Sequence, residues 1–264
     1  MNCTISLIIS TYNWPSALRL CLQSVLNQSK LPNEVIVADD GSTEETKSVI
    51  DSFRKLFYVP LIHVWQEDNG FQLAQIRNKA IAKASMDYII QIDGDLILGK
   101  KFIYDHFKFR KKGTFVSGSR VMLGETISNE LLIGEKKTLS ILSRGVKNRS
   151  NGLRLPFLSP LLSNYKNHDI YYLRGCNMAF YRSDLLSVNG YSEDFIGWGR
   201  EDNEIAAKLI NLGVKKRIIK FSGIVYHIYH KEQPRNNLSD KDELIKKIIS
   251  EKLVNFGSGV DKYL

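Results

Sequence analysis

The stretch YIIQIDGD, residues 88–95, is an apolar run rich in isoleucine that ends in two carboxylates. Two earlier runs share this pattern, ISLIIS at residues 5–10 and EVIVADD at residues 34–40. Apolar runs without polar alternation are typical of strands that are buried on both faces of a parallel sheet. The three runs therefore predict central strands of an α/β domain.

Apolar residues recur at helical spacing between these runs and form two stripes, each typical of one face of a helix. Arg77 and Asn78 fall outside the second stripe. The resulting βαβαβαβ order predicts an open doubly wound sheet, whose ligands bind outside the carboxyl ends of the strands. The stripes consist of Leu18, Cys21, Leu22, Val25 and Leu26, and of Leu73, Ile76, Ala80, Ile81 and Ala84. Four carboxylates follow strand ends and are expected together on that rim: Asp39, Asp40, Asp93 and Asp95.

The later part of the chain carries weaker patterns. Residues 119–167 lack a clean period and predict an irregular, partly helical insertion. We predict one domain over residues 1–235, with a mostly parallel open sheet flanked by helices, and a C-terminal helical tail over residues 236–264. Beyond the insertion, the predicted elements are a strand over residues 171–181, a helix from Ser183, a helix over residues 201–212 and a charged amphipathic helix over residues 240–253.

The composition excludes several classes of protein. With 264 residues, 43% of them hydrophobic, the chain can bury a core without disulfides or a structural metal. The three scattered cysteines, Cys3, Cys21 and Cys176, exclude a disulfide scaffold and favour a reducing compartment. Apolar stretches fall far short of the ~20 residues of a membrane span, and the N-terminal residues lack the features of a signal peptide. These features predict a cytoplasmic protein.

The formal net charge of +9 predicts a surface that attracts phosphates, nucleic acid or an anionic membrane. Acidic groups at the predicted strand ends argue against a uniform contact with nucleic acid. For the basic insertion, two interpretations stay open. It is either a solvated loop or a surface that meets anionic lipid head groups at the inner face of the membrane. Its basic residues include Arg144, Lys147, Arg149 and Arg154.

The motif Asp93-Gly94-Asp95 directly follows a predicted strand. Two carboxylates separated by one small residue suit a hard divalent cation that bridges to phosphate oxygens. An isolated Asp-Gly-Asp motif is more often a simple turn. Here Asp39 and Asp40 favour the cation, because gathered carboxylates repel one another unless a cation neutralises them.

Six motifs follow one another along the chain in two series. The early series is TYN (11–13), VADDGS (37–42), IRNKA (76–80) and IDGD (92–95), and the later one is GCNMAFYR (175–182) and GYSEDFIGWGREDNE (190–204). The early series resembles family 2 glycosyltransferases of the GT-A fold. The later series is similar to the C-terminal half of beta-1,4-galactosyltransferases and to bacterial chondroitin-type polymerase domains. Together the resemblance spans residues 3–231, nearly the whole chain.

The resemblance implies transfer of a sugar from a nucleotide diphosphate donor, with inversion and with Mn²⁺ or Mg²⁺. It implies a nucleotide-binding half over residues 1–100 and an acceptor-binding half over residues 101–235. By position in the motifs, Asp95 is the principal metal ligand, Asp93 faces the ribose and the metal, and Arg77 lies near the pyrophosphate. The remaining expected contacts to the nucleotide-sugar are Ser10, Thr11, Tyr12, Asp40, which accepts from the base, Gly94 and Trp198.

Two histidines, His227 and His230, are candidates to complete the metal shell. Imidazole is an acceptable ligand for manganese, although carboxylate and phosphate oxygens are preferred. The galactosyltransferase pattern has methionine and histidine at these two places, whereas this sequence has histidine at both. Which of the two binds the metal stays open.

The pair Glu201-Asp202 begins a predicted helix. Displacement at the anomeric carbon requires a base near the acceptor hydroxyl, and a carboxylate at a helix N-terminus can be held there by free N–H groups. We assign Asp202 as the base and Glu201 as a ligand of sugar hydroxyls. Trp198 lies between two glycines, so its ring can stack on a sugar while the loop closes.

The expected activity is transfer of galactose, N-acetylgalactosamine or N-acetylglucosamine from a UDP-sugar to a glycan or a lipid-linked acceptor, without a nucleic-acid partner. A nucleotidyltransferase is one alternative, although STYNWP at residues 10–15 is not a glycine-rich phosphate loop. A non-catalytic module that binds nucleic acid or glycan is the other. That module predicts strongly salt-dependent binding and no need for metal.

Overall fold

The computed structural model describes residues 3–136, 138–231 and 238–264. Its strands are β1 (Ile5–Thr11), β2 (Glu34–Asp39), β3 (Leu61–Trp65), β4 (Tyr88–Asp93), β5 (Leu96–Leu98), β6 (Thr114–Gly118), β7 (Val121–Leu123), β8 (Val146–Lys147), β9 (Asn177–Tyr181), β10 (Lys215–Ile219) and β11 (Val225–His227). Its helices are α1 (Pro15–Leu26), α2 (Glu44–Arg54), α3 (Leu73–Lys83), α4 (Phe102–Phe109), α5 (Glu125–Leu132), α6 (Arg182–Ser187), α7 (Glu201–Asn211) and α8 (Leu238–Ser250), with 3₁₀ turns at Arg149–Gly152 and Val260–Tyr263.

Seven strands form the main sheet in the order β10-β6-β9-β4-β1-β2-β3. All neighbours pair in parallel except β9, which is antiparallel to both β4 and β6. The prediction of a mostly parallel open sheet is therefore confirmed. The chain runs from β1 to β2 and β3 and then returns to place β4 on the other side of β1. This reversal leaves a crevice at the carboxyl ends of β1 and β4, where doubly wound sheets bind ligands.

The central strands are buried on both faces, as their unbroken apolar pattern predicts. Along β1, Ile5, Leu7 and Ile9 pack into the cluster beneath α1, α2 and α4, whereas Ile8 packs into the cluster beneath α3 and α7. This alternation follows from the two-residue period of a strand. A smaller sheet, in the order β5-β11-β7-β8, lies beside the crevice and supports its rim.

The strand predicted over residues 171–181 is shorter in the structure, because only Asn177–Tyr181 join the sheet as β9. The preceding residues form turns, in which the N–H of Tyr172 donates to the Asp169 carbonyl and the N–H of Asn177 donates to the Arg174 carbonyl. The Lys216 ammonium donates to the carbonyl groups of Asp169 and Tyr172 and so stabilises these turns. The irregular insertion contains β7, α5 and β8, so it is only partly helical.

The C-terminal segment packs on the domain instead of projecting from it. The predicted tail helix is present as α8, and the proposed boundary between residues 235 and 236 lies outside the described residues. Val260 is 1% exposed and belongs to the same apolar cluster as Ala80 and Ile81 of α3. Within residues 3–136, 138–231 and 238–264, none of the helices has the length and apolar character of a membrane span.

Candidate active site

A cavity of about 730 Å³ opens at the carboxyl ends of β1 and β4, which is a volume typical of small-molecule sites. Twelve of the thirteen residues predicted to form the site line it. His227 is absent from its walls but contacts Asp95, which lines the cavity, and Glu201 lies at its inner wall. The lining includes Ser10, Thr11, Tyr12, Asp40, Arg77, Asp93, Gly94, Asp95, Trp198, Glu201, Asp202 and His230.

The end of β1 supplies the nucleotide side of the cavity. Ser10 and Asp93 are register partners on β1 and β4, so the two strand ends lie side by side. Gly94 permits this approach, because a β-carbon there would stand 3.1 Å from the Ser10 carbonyl oxygen. Tyr12 is half-exposed, and its hydroxyl donates to Asp68 Oδ2 at 2.9 Å.

Asp40 is oriented by two protein donors. Its Oδ1 accepts from Gln66 Nε2 at 2.6 Å, and its Oδ2 accepts from the backbone N–H of Gln72 at 2.9 Å. Burial raises the pKa of Asp40, while these two hydrogen bonds act against the shift. The carboxylate is therefore fixed at the cavity wall.

The expectation of four carboxylates on one rim is wrong for Asp39. Its side chain is fully buried, accepts from the Ser42 N–H at 2.9 Å, and lies 2.9 Å from His63 Nε2. Consecutive residues at a strand end point to opposite faces, so Asp39 turns inward where Asp40 turns toward the cavity.

Asp95 meets both histidines at the other side of the cavity. Its Oδ2 lies 3.3 Å from Nε2 of His227 and 3.3 Å from Nε2 of His230. The antiparallel pairing of β11 with β5 sets His227 opposite Leu96, and the N–H of Ile228 donates to the Asp95 carbonyl. The ligand atoms of the three side chains lie within 4.8 Å of one another.

The polar atoms of this cluster have the character of a cation site. Asp95 Oδ1 and His227 Nδ1 are buried without hydrogen-bond partners. His230 Nδ1 lies 2.8 Å from the Lys231 carbonyl oxygen, which can only accept, so Nδ1 carries a proton, and loss of the Nε2 proton would leave a lone pair facing Asp95. Burial lowers the pKa of His227, and the hydrogen bond to Asp95 raises the pKa of His230. One carboxylate and two imidazoles fit a divalent transition-metal ion.

Arg77 stands between the two halves of the cavity. It is 1% exposed, and its guanidinium lies 3.3 Å from Asp93, 3.6 Å from Glu201 and 2.9 Å from Asp202. It also lies 5.3 Å above the ring of Tyr191. The guanidinium that was expected near a pyrophosphate is thus engaged by three carboxylates, those of Asp93, Glu201 and Asp202.

The carboxylates at the start of α7 share this arginine. Glu201 Oε2 is buried without a hydrogen-bond partner. Burial, followed by the charge of Asp202, raises the pKa of Glu201 to about 7, although Arg77 acts in the opposite direction. Burial likewise raises the pKa of Asp93 to about 6 against the effect of Arg77. The cavity therefore holds carboxyl groups with different proton affinities, a common feature of active sites.

Trp198 lines the cavity and is 38% exposed. Gly197 and Gly199 on either side have φ angles of +79° and +88°, in the left-handed region that favours glycine. Arg200, at φ +79°, is the last residue before α7. The ring of Trp198 and the carboxylates of α7 are therefore set by one short segment.

Sequence reasoning missed several wall residues. Arg120 is half-buried, lines the cavity and donates to Cys176 Sγ at 3.9 Å, and its charge favours the ionised forms of Asp93 and Asp95. It follows β6 as a single arginine among small residues, without a motif. Gly175, which did belong to a motif, leaves room for Asp202. A β-carbon at residue 175 would stand 1.6 Å from Asp202 Oδ2.

Comparison with known proteins relates this geometry to a family. The chain is 26% identical over 263 residues to a chondroitin synthase of Escherichia coli, covering 90% of this chain and 36% of that protein. The chain thus spans about a third of the length of this curated relative. One family model, described as the N-terminal domain of galactosyltransferase, matches residues 162–231 of this chain.

Solved structures show the same fold. Staphylococcus aureus TarS residues 1–349, in complex with UDP-GlcNAc, matches with a TM-score of 0.65 and 18% identity over 94% of this chain and 66% of that one. GalNAc-T7 with UDP, GalNAc and Mn²⁺ matches with a TM-score of 0.65 and 16% identity over 93% of this chain and 48% of that one. The fold is GT-A. Residues 6–186 match the model of glycosyl transferase family 2, and the chain is a glycosyltransferase that belongs to this family.

Proposed function

We propose that the protein transfers galactose, N-acetylgalactosamine or N-acetylglucosamine from a UDP-sugar to a hydroxyl of a glycan or lipid-linked acceptor, with inversion, in the synthesis of a surface polysaccharide. One observation carries this proposal. A single cavity is lined at one side by Asp95 and His230, with His227 in contact with Asp95 behind the wall, and at the other side by two carboxylates, Glu201 and Asp202. The names of the relatives, a chondroitin synthase and a TarS complex with UDP-GlcNAc, support this substrate class.

In this proposal Asp95, His227 and His230 hold Mn²⁺ or Mg²⁺, with Asp93 facing the ribose and the metal. The bound cation supplies Lewis-acid stabilisation of negative charge on the leaving diphosphate. Manganese suits the two imidazoles better than magnesium does. Arg77 keeps the Asp93 carboxylate oriented, because its Nη2 donates to Oδ1 at 3.3 Å.

The donor is bound by the chain's own polar and aromatic groups. Asp40, held by Gln66 and Gln72, presents its carboxylate edge to the base. Ser10, Thr11 and Tyr12 border the nucleotide, and the ring of Trp198 stacks on an apolar face of the sugar.

Asp202 acts as the base. Its carboxylate accepts the proton of the acceptor hydroxyl as the acceptor oxygen bonds to the anomeric carbon and the bond from that carbon to the diphosphate oxygen breaks. One displacement inverts the anomeric centre. Arg77 Nη1, 2.9 Å from Asp202 Oδ1, fixes the direction of the carboxylate, and Glu201 binds hydroxyl groups of the sugars.

The proposal locates the enzyme in the cytoplasm, at the inner face of the membrane where lipid-linked acceptors are extended. The basic insertion supports this location. Besides the basic residues Lys147 and Arg149, it carries exposed apolar side chains, those of Leu142, Phe157 and Leu161. Basic residues near an anionic membrane contribute about 1 kcal/mol each.

A thermal-shift experiment tests the metal and donor assignment. The protein is melted with UDP-galactose, UDP-N-acetylgalactosamine or UDP-N-acetylglucosamine, first with Mn²⁺ and then with EDTA. A ligand at 100 times its dissociation constant adds about 2.7 kcal/mol of stability, so one donor should raise Tm only when metal is present. We expect Asp95→Asn to lose this shift and transfer activity, and the exposed control Asp51→Asn to keep both. A metal-dependent shift retained by Asp95→Asn would remove Asp95 from the metal site, and no shift with any donor would contradict the proposed substrate class.

A further inference from the structure

The ammonium of Lys241, on the first turn of α8, lies among three consecutive backbone carbonyl groups. Lys241 Nζ donates to the carbonyl oxygens of Gly197 at 3.0 Å, Trp198 at 3.1 Å and Gly199 at 3.1 Å. An ammonium has three donors, so all of them are used by this one segment. Lys241 is 7% exposed, and α8 approaches the cavity from a part of the chain that the family motifs do not reach.

The backbone of residues 197–199 has an unusual shape. The left-handed conformations of Gly197 and Gly199 turn successive carbonyl groups toward the same side. Three partial negative charges that converge in this way repel each other unless a cation stands between them. The shape of the segment that presents Trp198 therefore depends on a positive charge at the position of Lys241 Nζ.

The first turn of α8 also contacts Arg200, the residue that follows Gly199. Arg200, with its left-handed backbone, donates through Nη2 to Asp242 Oδ2 at 3.0 Å. A left-handed conformation of a residue with a side chain is strained and persists where neighbouring contacts fix it. Leu238 lines the cavity and stands 3.4 Å from where a β-carbon of Gly199 would lie.

Helix α8 is itself fixed to the domain. Ile245 and Ile248 are fully buried and pack with Phe195 and with Ala207 of α7. The helix thus contacts the segment from Phe195 to Arg200 at both ends and also packs on the helix that carries Glu201 and Asp202. Contacts of this kind transmit a fixed position from one element to the next.

We propose that Lys241 is a positioning residue for sugar transfer: its ammonium fixes the backbone of residues 197–199 and thereby orients Trp198 and the start of α7. The inference rests on the proposed function only in so far as Trp198, Glu201 and Asp202 are its working groups. Because small displacements at a reacting centre lower rates by as much as about 10²-fold, removal of the ammonium should reduce turnover more than nucleotide binding.

The test compares Lys241→Met, which keeps the apolar stem, with Lys246→Met, an exposed lysine on the same helix. The measurements are Tm, the affinity for UDP with Mn²⁺, and the rate of UDP release from the three UDP-sugars. We expect the affinity of Lys241→Met for UDP to lie within about twofold of that of the wild type. We expect the variant to form UDP from the UDP-sugar at least about tenfold more slowly. Lys246→Met should match the wild type in each measurement. Unchanged release in Lys241→Met would overturn the inference.

Chemical rescue separates a positioning role from a merely structural one. Lys241→Ala lacks three carbons and the ammonium, which propylammonium replaces, whereas 1-propanol replaces the stem without the charge. Propylammonium should restore at least about a third of the lost rate and leave KM for the donor near its wild-type value, and 1-propanol should not. A loss that propylammonium does not restore would overturn the inference.

A fluorescence measurement is independent of activity. In a Trp14→Phe, Trp65→Phe background, Trp198 is the remaining tryptophan of the three in the chain. Lys241→Met should lower the fluorescence anisotropy of Trp198 and shift its emission, and Lys246→Met should change neither. If the wild type releases no UDP while Lys241→Met still changes this signal, the proposed function fails and the inference about the loop stands. An unchanged signal would overturn the inference even in an active enzyme.

Discussion

The absence of a side chain at Gly175 leaves the space that the Asp202 carboxylate occupies. A β-carbon there would overlap Asp202 Oδ2, and the three nearest atoms all belong to the end of that one flexible side chain. Gly175→Ala should therefore turn the carboxylate away from Arg77 while leaving the fold intact. We expect UDP release from a UDP-sugar to slow by about 10²-fold, the scale of a lost general base, with an unchanged affinity for UDP.

The control for this substitution is Gly113→Ala, at a positive φ with open space around it and outside the cavity. It should lower Tm through backbone strain and leave the rate unchanged. A Gly175→Ala enzyme with the wild-type rate would show that the observed position of Asp202 is not needed for transfer.

Single residues differ in how well the sequence predicts their positions. Asp93 and Asp95 could be placed at the cavity because open α/β sheets bind ligands outside the carboxyl ends of their strands. Asp39 has the same sequence context, and its inward direction depends on His63 of a neighbouring strand. Lys241 has no motif at all, because its partners are backbone carbonyls that any sequence provides.

Helix α3 has one face that the sequence predicts and a second face whose burial depends on distant segments. Its apolar stripe predicted the helix and its packed face correctly, yet Arg77 and Asn78 are buried as well. Both are buried by polar contacts with distant segments. Arg77 meets the carboxylates of β4 and α7, and Asn78 Nδ2 donates to the Tyr191 carbonyl at 2.8 Å. Hydrophobic periodicity cannot detect a helix face whose partners are charged.

Helix α7 begins with a carboxyl group that resists ionisation. A helix N-terminus favours negative charge, but burial beside Asp202 raises the pKa of Glu201 from 4.5 to about 7. A carboxyl with a raised pKa in the folded state stabilises the fold most below pH 4.5. That contribution is lost as the pH rises to about 7, at no more than about 1.4 kcal/mol per pH unit. Glu201→Gln removes this dependence.

Urea unfolding at pH 5, 6, 7 and 8 measures the effect. We expect the free energy of unfolding of Glu201→Gln, relative to the wild type, to increase from pH 5 to pH 7 and then to stay level. The exposed Glu45, in the first turn of α2, provides the control Glu45→Gln, for which the difference should stay small at every pH. A constant difference for Glu201→Gln would contradict the raised pKa.

Across the whole molecule, the C-terminal segment is part of the same core as the nucleotide-binding strands. Val260 belongs to the same apolar cluster as side chains of α3 and β9, and its N–H donates to the Asn189 carbonyl at 3.1 Å. Val260→Ala should lower the free energy of unfolding by about 2 kcal/mol through lost burial and an unfilled cavity. Val254→Ala, a matched change at an exposed valine of the same segment, should cost much less.

The measurement is urea unfolding followed by circular dichroism. A single transition that shifts as a whole in Val260→Ala would show that the segment unfolds together with the domain. Equal effects of the two substitutions, or a separate early transition, would show instead that residues 251–264 are only loosely attached.

The fold as a whole was more predictable than the details of its site. Unbroken apolar runs and the helices between them fixed the parallel half, because local patterns alone specify those elements. The antiparallel β9 was predicted too long, because the turns before it depend on Lys216, which lies on a different strand. Contacts between distant segments account for both the shortened strand and the unforeseen role of α8.

The cluster of Asp95, His227 and His230 joins two parts of the chain that are far apart in the sequence. Closing so long a loop costs conformational entropy before any contact repays it, and such non-local contacts form slowly. During folding from the N-terminus, the carboxylate is synthesised long before the imidazoles that complete the cluster. The cluster therefore cannot assemble until the chain has been synthesised as far as His230, and shorter chains lack it.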